Sequence, residues 1–278
     1  MIASLRAESL KTRKRWANWI LFAILLAWIV LLSYLTFYLV IRLSPHSIQG
    51  PVPASVLKRR LFPENFVPTV LNAAESIGAA IMLIFGALST ASEYGWLTVQ
   101  TILIQKPTRL AVLGGKLLAD VITVVVVSLA LLAVTALASY VVVTVDNSAS
   151  SWPSWEVTLK AFGALVLQLA VWTSLGAFVG IAFRSAAAAI GGGLVYLFVV
   201  EALLGSLFRN TPVVKEIFKF LPGVNGGAIN ATFPATFRDT TATALVGAGR
   251  GVVTLLLYVA IFTIGSLLIF QQRDVGGS

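Results

Sequence analysis

The 278-residue sequence contains no cysteine and one histidine. The first absence excludes disulfides, thiolate metal sites and cysteine nucleophiles. His46 stands beside Pro45 in a proline-rich stretch, without the neighbouring groups that metal and catalytic histidines require, and reads as an exposed loop residue. Gly115-Lys116 is followed by Leu117, and position 110 is leucine. The spacing of a phosphate-binding P-loop is therefore missing, and with it that route to ATP hydrolysis. His-Glu-x-x-His and Gly-x-Ser-x-Gly are absent as well, so a membrane-embedded enzyme ranks lowest among the function classes. No catalytic, cofactor or metal residue is assigned.

Charge is also scarce. Charged residues make up 11% of the chain and hydrophobic residues 58%, with a mean hydropathy of +0.92. A soluble protein of this size could not cover so much apolar surface, so the chain reads as a polytopic membrane protein, a single domain over 1–278. Its formal charge of +9 does not imply nucleic acid, because membrane proteins hold lysine and arginine at their interfaces.

Six spans are predicted, at about 17–41, 69–91, 112–145, 156–183, 186–208 and 251–270, giving an all-α fold. Met1 to Arg15 is basic with a weak apolar face (Ile2, Leu5, Leu10), which fits an amphipathic helix in the headgroup layer or a solvated tail. The first span is too long for a signal-peptide core and is read as retained. Arg42 to Pro68 carries five of the ten prolines and the run Lys58-Arg59-Arg60, and is expected to be an extended loop with one short surface helix. Arg184-Ser185 makes a tight turn. In the long connection from Arg209 to Arg250, Thr211-Pro212 has the form of a helix start, and Val213, Ile217 and Leu221 recur every fourth residue opposite Lys215, Glu216 and Lys219. That pattern predicts an amphipathic helix resting on or dipping into the bilayer face. Gly176-x-x-x-Gly180 and Gly191–Gly193 mark close helix contacts, within one subunit or at a dimer seam.

Ser92 to Lys116 is a polar connection between the second and third spans. Trp96, Val99 and Leu103 have helical apolar spacing, with Thr98, Thr101 and Gln105 on another side, until Pro107 breaks the helix. Glu93 at a span's end, Gly95 and Thr98, Leu103, Pro107-x-Arg109 and Gly115-Lys116 together resemble the ABC-2 type transporter permease family. The family's usual Glu-x-x-x-Gly-Thr is altered here, since Leu97 precedes Thr98 and the glycine has moved to position 95. The resemblance implies the membrane subunit of an ATP-binding cassette exporter moving a lipid, glycan, peptide or drug-like substrate, with ATP hydrolysed on a separate subunit. It implies that Trp96–Ile104 is a cytosolic coupling helix, with Glu93, Trp96, Val99, Leu103, Pro107 and Arg109 docking on the ATPase. The amino-terminal helix and the Arg184 turn would add contacts, and a second permease copy or paralogue would complete the pathway in the lipid membrane. The competing class is a non-transporting scaffold or the regulatory subunit of a sensor complex.

Orientation follows from charge placement. With six spans each side carries ten lysines and arginines, but the cluster Arg6, Lys11, Arg13, Lys14 and Arg15 before the first span favours cytoplasmic termini. The resemblance agrees, and implies a plasma membrane, bacterial inner membrane location. Glu75, Lys160 and Glu201 fall within apolar spans, roughly 6–10 Å deep at about 1.5 Å per residue. Unpaired charge there is costly. Lys160 is expected to pair with Glu75 or Glu201 in an interior polar layer, as candidate pathway charges; the alternatives are that Lys160 snorkels to the surface and that the glutamates are protonated or bonded to nearby hydroxyls.

Overall fold

Among the described residues all regular structure is helical, as a bilayer requires. Lipid offers no partner for backbone N–H and C=O groups, and a helix pairs its own. The computed structural model describes residues 2–43, 54–95, 109–204, 216–235 and 244–272. Helix α1 is Ile2–Lys14, and α2 follows at once as the apolar run Trp16–Leu43. The short α3 (Ala54–Arg59) leads into α4, whose membrane part is Pro63–Ser92. Next come α5 (Arg109–Asp146), α6 (Trp155–Phe183) and α7, which starts as Ala186–Val195 and continues through Tyr196–Leu204. The nine-residue α8 (Pro222–Asn230) precedes α9 (Ala248–Gln272). Five of these (α2, α4, α5, α6 and α9) are long and apolar enough to cross a membrane; the apolar run of α7, Ala186–Glu201, is shorter.

The core is the α4–α6 pair. Each buries 72% of its span, against 17% for α2 and 11% for α9, so the latter two flank the bundle and present leucines and isoleucines outward. Missing side chains let the central pair meet. A Cβ on Gly176 would lie 2.1 Å from the Leu83 carbonyl oxygen, and one on Gly86 would lie 2.1 Å from that of Thr173. Thr90 adds a hydrogen bond from its hydroxyl to the Ala177 carbonyl at 3.1 Å. Dispersion between touching backbones is the main attraction available in lipid, where apolar burial gains nothing. Gly176-x-x-x-Gly180 thus faces α4 of the same chain. Gly193 also faces α4, at Leu83, whereas a Cβ on Gly191 would touch nothing within 4 Å.

Turn chemistry sets the element ends. Arg184 adopts the left-handed conformation (φ 53°, ψ 19°) that closes α6, and the Ser185 hydroxyl accepts the Ala188 N–H at 3.3 Å to open α7. Ser154 opens α6 in the same way.

Two expectations need correction. The helix that carries the second predicted span begins at Pro63 rather than at residue 69, because Pro68 lies in the first turn of Phe66–Ala73, where a proline's missing N–H breaks no helical bond. In the long connection the expected amphipathic helix does not continue through Leu221. The chain turns over Lys219–Leu221 and restarts as α8, with Pro222 at its first position. α8, a separate helix that the sequence pattern does not predict, buries Pro222, Asn225, Gly226, Ala228 and Ile229 against α9, α6 and α4. The expected helix start at Thr211-Pro212 and residue Val213 lie outside the described residues.

Candidate functional site

Two polar constellations interrupt the apolar bundle. The first fastens α1 to the helices on either side of the 96–108 connection. Ser4 and Glu8 are the buried polar residues of α1. The Glu8 carboxylate accepts from the Lys116 ammonium of α5 at 3.0 Å, and Lys116 also donates to the Ser89 carbonyl of α4 at 2.7 Å. The Ser89 hydroxyl donates to Asp120, one turn beyond Lys116, at 2.9 Å. Arg15, at the elbow between α1 and α2, donates to the Ser92 hydroxyl at 2.9 Å. The end of α1 is closed by side chains, Asn18 donating to the Thr12 carbonyl and the Trp19 indole to that of Arg13. Contact between α1 and α5 is direct, since a Cβ on Gly115 would lie 2.6 Å from the Ser4 Cβ. Gly115-Lys116 therefore has a local purpose: glycine admits α1 and lysine binds it.

The second constellation encloses α8. Leu221, the residue before that helix, supplies no capping side chain. Glu201 of α7 does so instead, accepting the Gly223 N–H at 2.8 Å while its other oxygen accepts the Tyr196 hydroxyl at 3.0 Å. A carboxylate at a helix N-terminus meets unpaired N–H groups and the positive end of the helix dipole. At the other end of α8, Asn230 donates to Glu75 of α4 at 2.9 Å and accepts from Gln168 of α6 at 2.8 Å. Both glutamates lie in π-helical turns, Glu75 in Ala74–Gly78 and Glu201 in Tyr196–Leu204. Such wide turns are uncommon and recur at functional sites.

Lys160 does not join this layer, contrary to expectation. It pairs with Glu156 on its own helix at 2.7 Å, and both side chains are more than 60% exposed. Four residues is one helical turn, so this local partner needs no tertiary alignment. Lys160 instead borders a cavity of about 610 Å³ between α6, the end of α8 and α9, with Gly163, Leu167, Phe233 and Val252 among its walls. At the end of the bundle away from α1, Asp146 binds Arg42 at 3.3 Å and Lys58 at 2.9 Å.

Among the residues expected to contact an ATPase, Trp96, Val99, Leu103 and Pro107 lie outside the described residues. Glu93 and Arg109 fall on the last turn of α4 and the first of α5. Sequence reasoning missed Glu8, Ser89, Asp120, Gln168 and Asn230. Gln168 and Asp120, polar and acidic residues within apolar spans, carried a signal that could have found them.

Residues 65–276 match the family model described as "Protein of unknown function (DUF2705)". The chain belongs to the DUF2705 family. The part matching DUF2705 takes in α4 to α9, and so both glutamates, Gln168, Lys116 and the whole of α8. A search of curated proteins gave no match.

Proposed function

We propose that this DUF2705 member is the membrane-spanning permease subunit of an exporter driven by a separate ATP-binding cassette ATPase. In this reading α7 also crosses the membrane, as the fifth of six spans, both termini face the cytosol of a plasma membrane, and two permease copies, or a copy and a paralogue, form the pathway. The observation that carries the proposal is the clasp of Glu8, Lys116, Ser89 and Asp120. It ties a surface helix to the ends of the two helices joined by the 96–108 connection. A partner pushing on that connection, through Trp96, Val99 and Leu103, would move α1, α4 and α5 together. The backbone contacts of α4 with α6 would pass the displacement to the centre of the bundle, where close-packed helices shift between discrete arrangements. Substrate classes consistent with the resemblance are lipids, glycans, peptides and drugs.

The test is native purification. The tagged chain, extracted gently from its own membrane, is expected to bring down an ATPase in stoichiometric amount. Recovery with a sensor kinase and no ATPase would replace the proposal with the regulatory-subunit reading.

A further inference from the structure

Lys160 has no place in the polar layer around α8, and the cavity it borders gives it one. Helices α6 and α9 touch near the α1 end of the bundle. There the Phe178 and Phe262 rings lie 5.7 Å apart, and a Cβ on Gly265 would come within 2.8 Å of Phe178. Toward the other end the segment 229–234 comes between them, and the cavity of about 610 Å³ occupies the gap. That volume is in the range of ligand pockets, about 300–1,000 Å³. Small residues make the room. Gly163 of α6 and Gly249 of α9 both line it, and a Cβ on either would meet nothing within 4 Å. Both glycines and Val252 are exposed, so the cavity opens on the surface of the bundle.

Its polarity is confined to one rim. The Thr232 hydroxyl is taken up by the Ile229 carbonyl at 2.7 Å, and Lys160 is the charged group in the wall. Along α6 the lining runs from Val157 to Leu167, about 15 Å at about 1.5 Å per residue. That is half of a hydrocarbon core about 30 Å thick, the depth of one leaflet. Trp155, exposed at the start of α6, marks the interface of that leaflet. Lys160 lies one to two turns below it, and its flexible stem carries the ammonium back to Glu156 at 2.7 Å. A pair of opposite charges thus stands at headgroup level over an apolar slot one leaflet deep.

This is the layout of a phospholipid, with charges above and a chain below. The pair is exposed, and exposed pairs contribute little, so opening it toward a headgroup costs little. An anionic headgroup would satisfy Lys160 and meet repulsion from Glu156. A zwitterionic one satisfies both: its phosphate accepts from Lys160 and its ammonium donates to Glu156, in charge-assisted hydrogen bonds that a quaternary ammonium, lacking N–H, cannot make. We propose that the cavity binds one zwitterionic phospholipid with a primary ammonium, of which phosphatidylethanolamine is the representative. One acyl chain lies between α6 and α9, and the headgroup bridges Lys160 and Glu156. The site requires neither ATPase nor nucleotide, and it stands apart from the exporter reading.

The experiment uses the full chain alone, delipidated in mild detergent. It is titrated with phosphatidylethanolamine, phosphatidylcholine and phosphatidylglycerol of equal chain length, and bound lipid is counted by native mass spectrometry. One phosphatidylethanolamine is expected to bind with a Kd about tenfold below those of the other two. Gly163→Leu, which fills open space, should lose that lipid, and Glu156→Gln should lose the discrimination against phosphatidylglycerol. If Gly163→Leu does not fold, the selectivity of the wild-type chain and of Glu156→Gln decides the matter. Equal binding of the three lipids, or a preference for phosphatidylglycerol, would overturn the proposal. Selective binding undiminished by both substitutions would place the lipid elsewhere and overturn it equally.

Discussion

At the scale of single residues, the balance between desolvation and pairing decides what the polar side chains do. Lys116 and Glu8 are 6% and 11% exposed, far from the solvated geometry in which an ion pair contributes little. Removing one partner of a buried pair costs about 3–5 kcal/mol when it strands the other charge; Glu8 keeps Lys11 at 2.7 Å, which holds the loss to the lower end of that range. Lys116→Met is therefore expected to lower unfolding stability by about 3 kcal/mol, and the double variant with Glu8→Gln by less than the sum of the single changes. A double-mutant cycle in lipid measures this, and additive losses would show that the pair is not coupled. Lys160 is the contrasting case. Its pair with Glu156 is exposed and local, so Lys160→Ala is expected to leave stability within about 0.5 kcal/mol.

At the scale of elements, glycine placement separates contact from open surface. Gly176→Ala would set a methyl 2.1 Å from a carbonyl oxygen, and the helices must part; a loss of at least about 2 kcal/mol is expected. Gly163, on the same helix, has nothing within 4 Å, so Gly163→Ala is expected to raise stability by about 0.5–1 kcal/mol through helix propensity alone. Thermal unfolding of the two variants compares them directly, and equal effects would contradict the α4–α6 crossing. Much of this level was legible in the sequence. Long apolar runs announced α2, α5, α6 and α9 to within a few residues, and Arg184-Ser185 announced its turn. What escaped did so for physical reasons. Pro68 reads as a breaker until it is known to occupy a first turn. Pro222–Asn230, with three glycines and two asparagines, has the composition of a loop, and becomes a buried helix because Glu201 of α7 caps its start while Glu75 of α4 and Gln168 of α6 bind the Asn230 side chain at its end. Glu8 and Lys116 are 108 residues apart, and no local pattern joins them. Equal depth of Glu75, Lys160 and Glu201 along their helices could not reveal which way each side chain points.

At the scale of the whole molecule, a surface helix, two core helices and a buried capped helix form one mechanically connected path. Its orientation is open to a simple assay, because the chain has no cysteine of its own. With cytoplasmic termini, Lys58→Cys is labelled by an impermeant thiol reagent on intact cells and Lys106→Cys is not; the reverse pattern would invert the topology. The central claim is that an ATPase works this path from the 96–108 connection. The most direct test is ATP hydrolysis by the purified complex in proteoliposomes, comparing wild type with Trp96→Ala and Leu103→Ala chains that insert at normal levels. The account predicts that both substitutions weaken ATPase docking and abolish the dependence of hydrolysis on the membrane subunit. Full assembly with unchanged hydrolysis in both variants, or no ATPase partner at all, would contradict it.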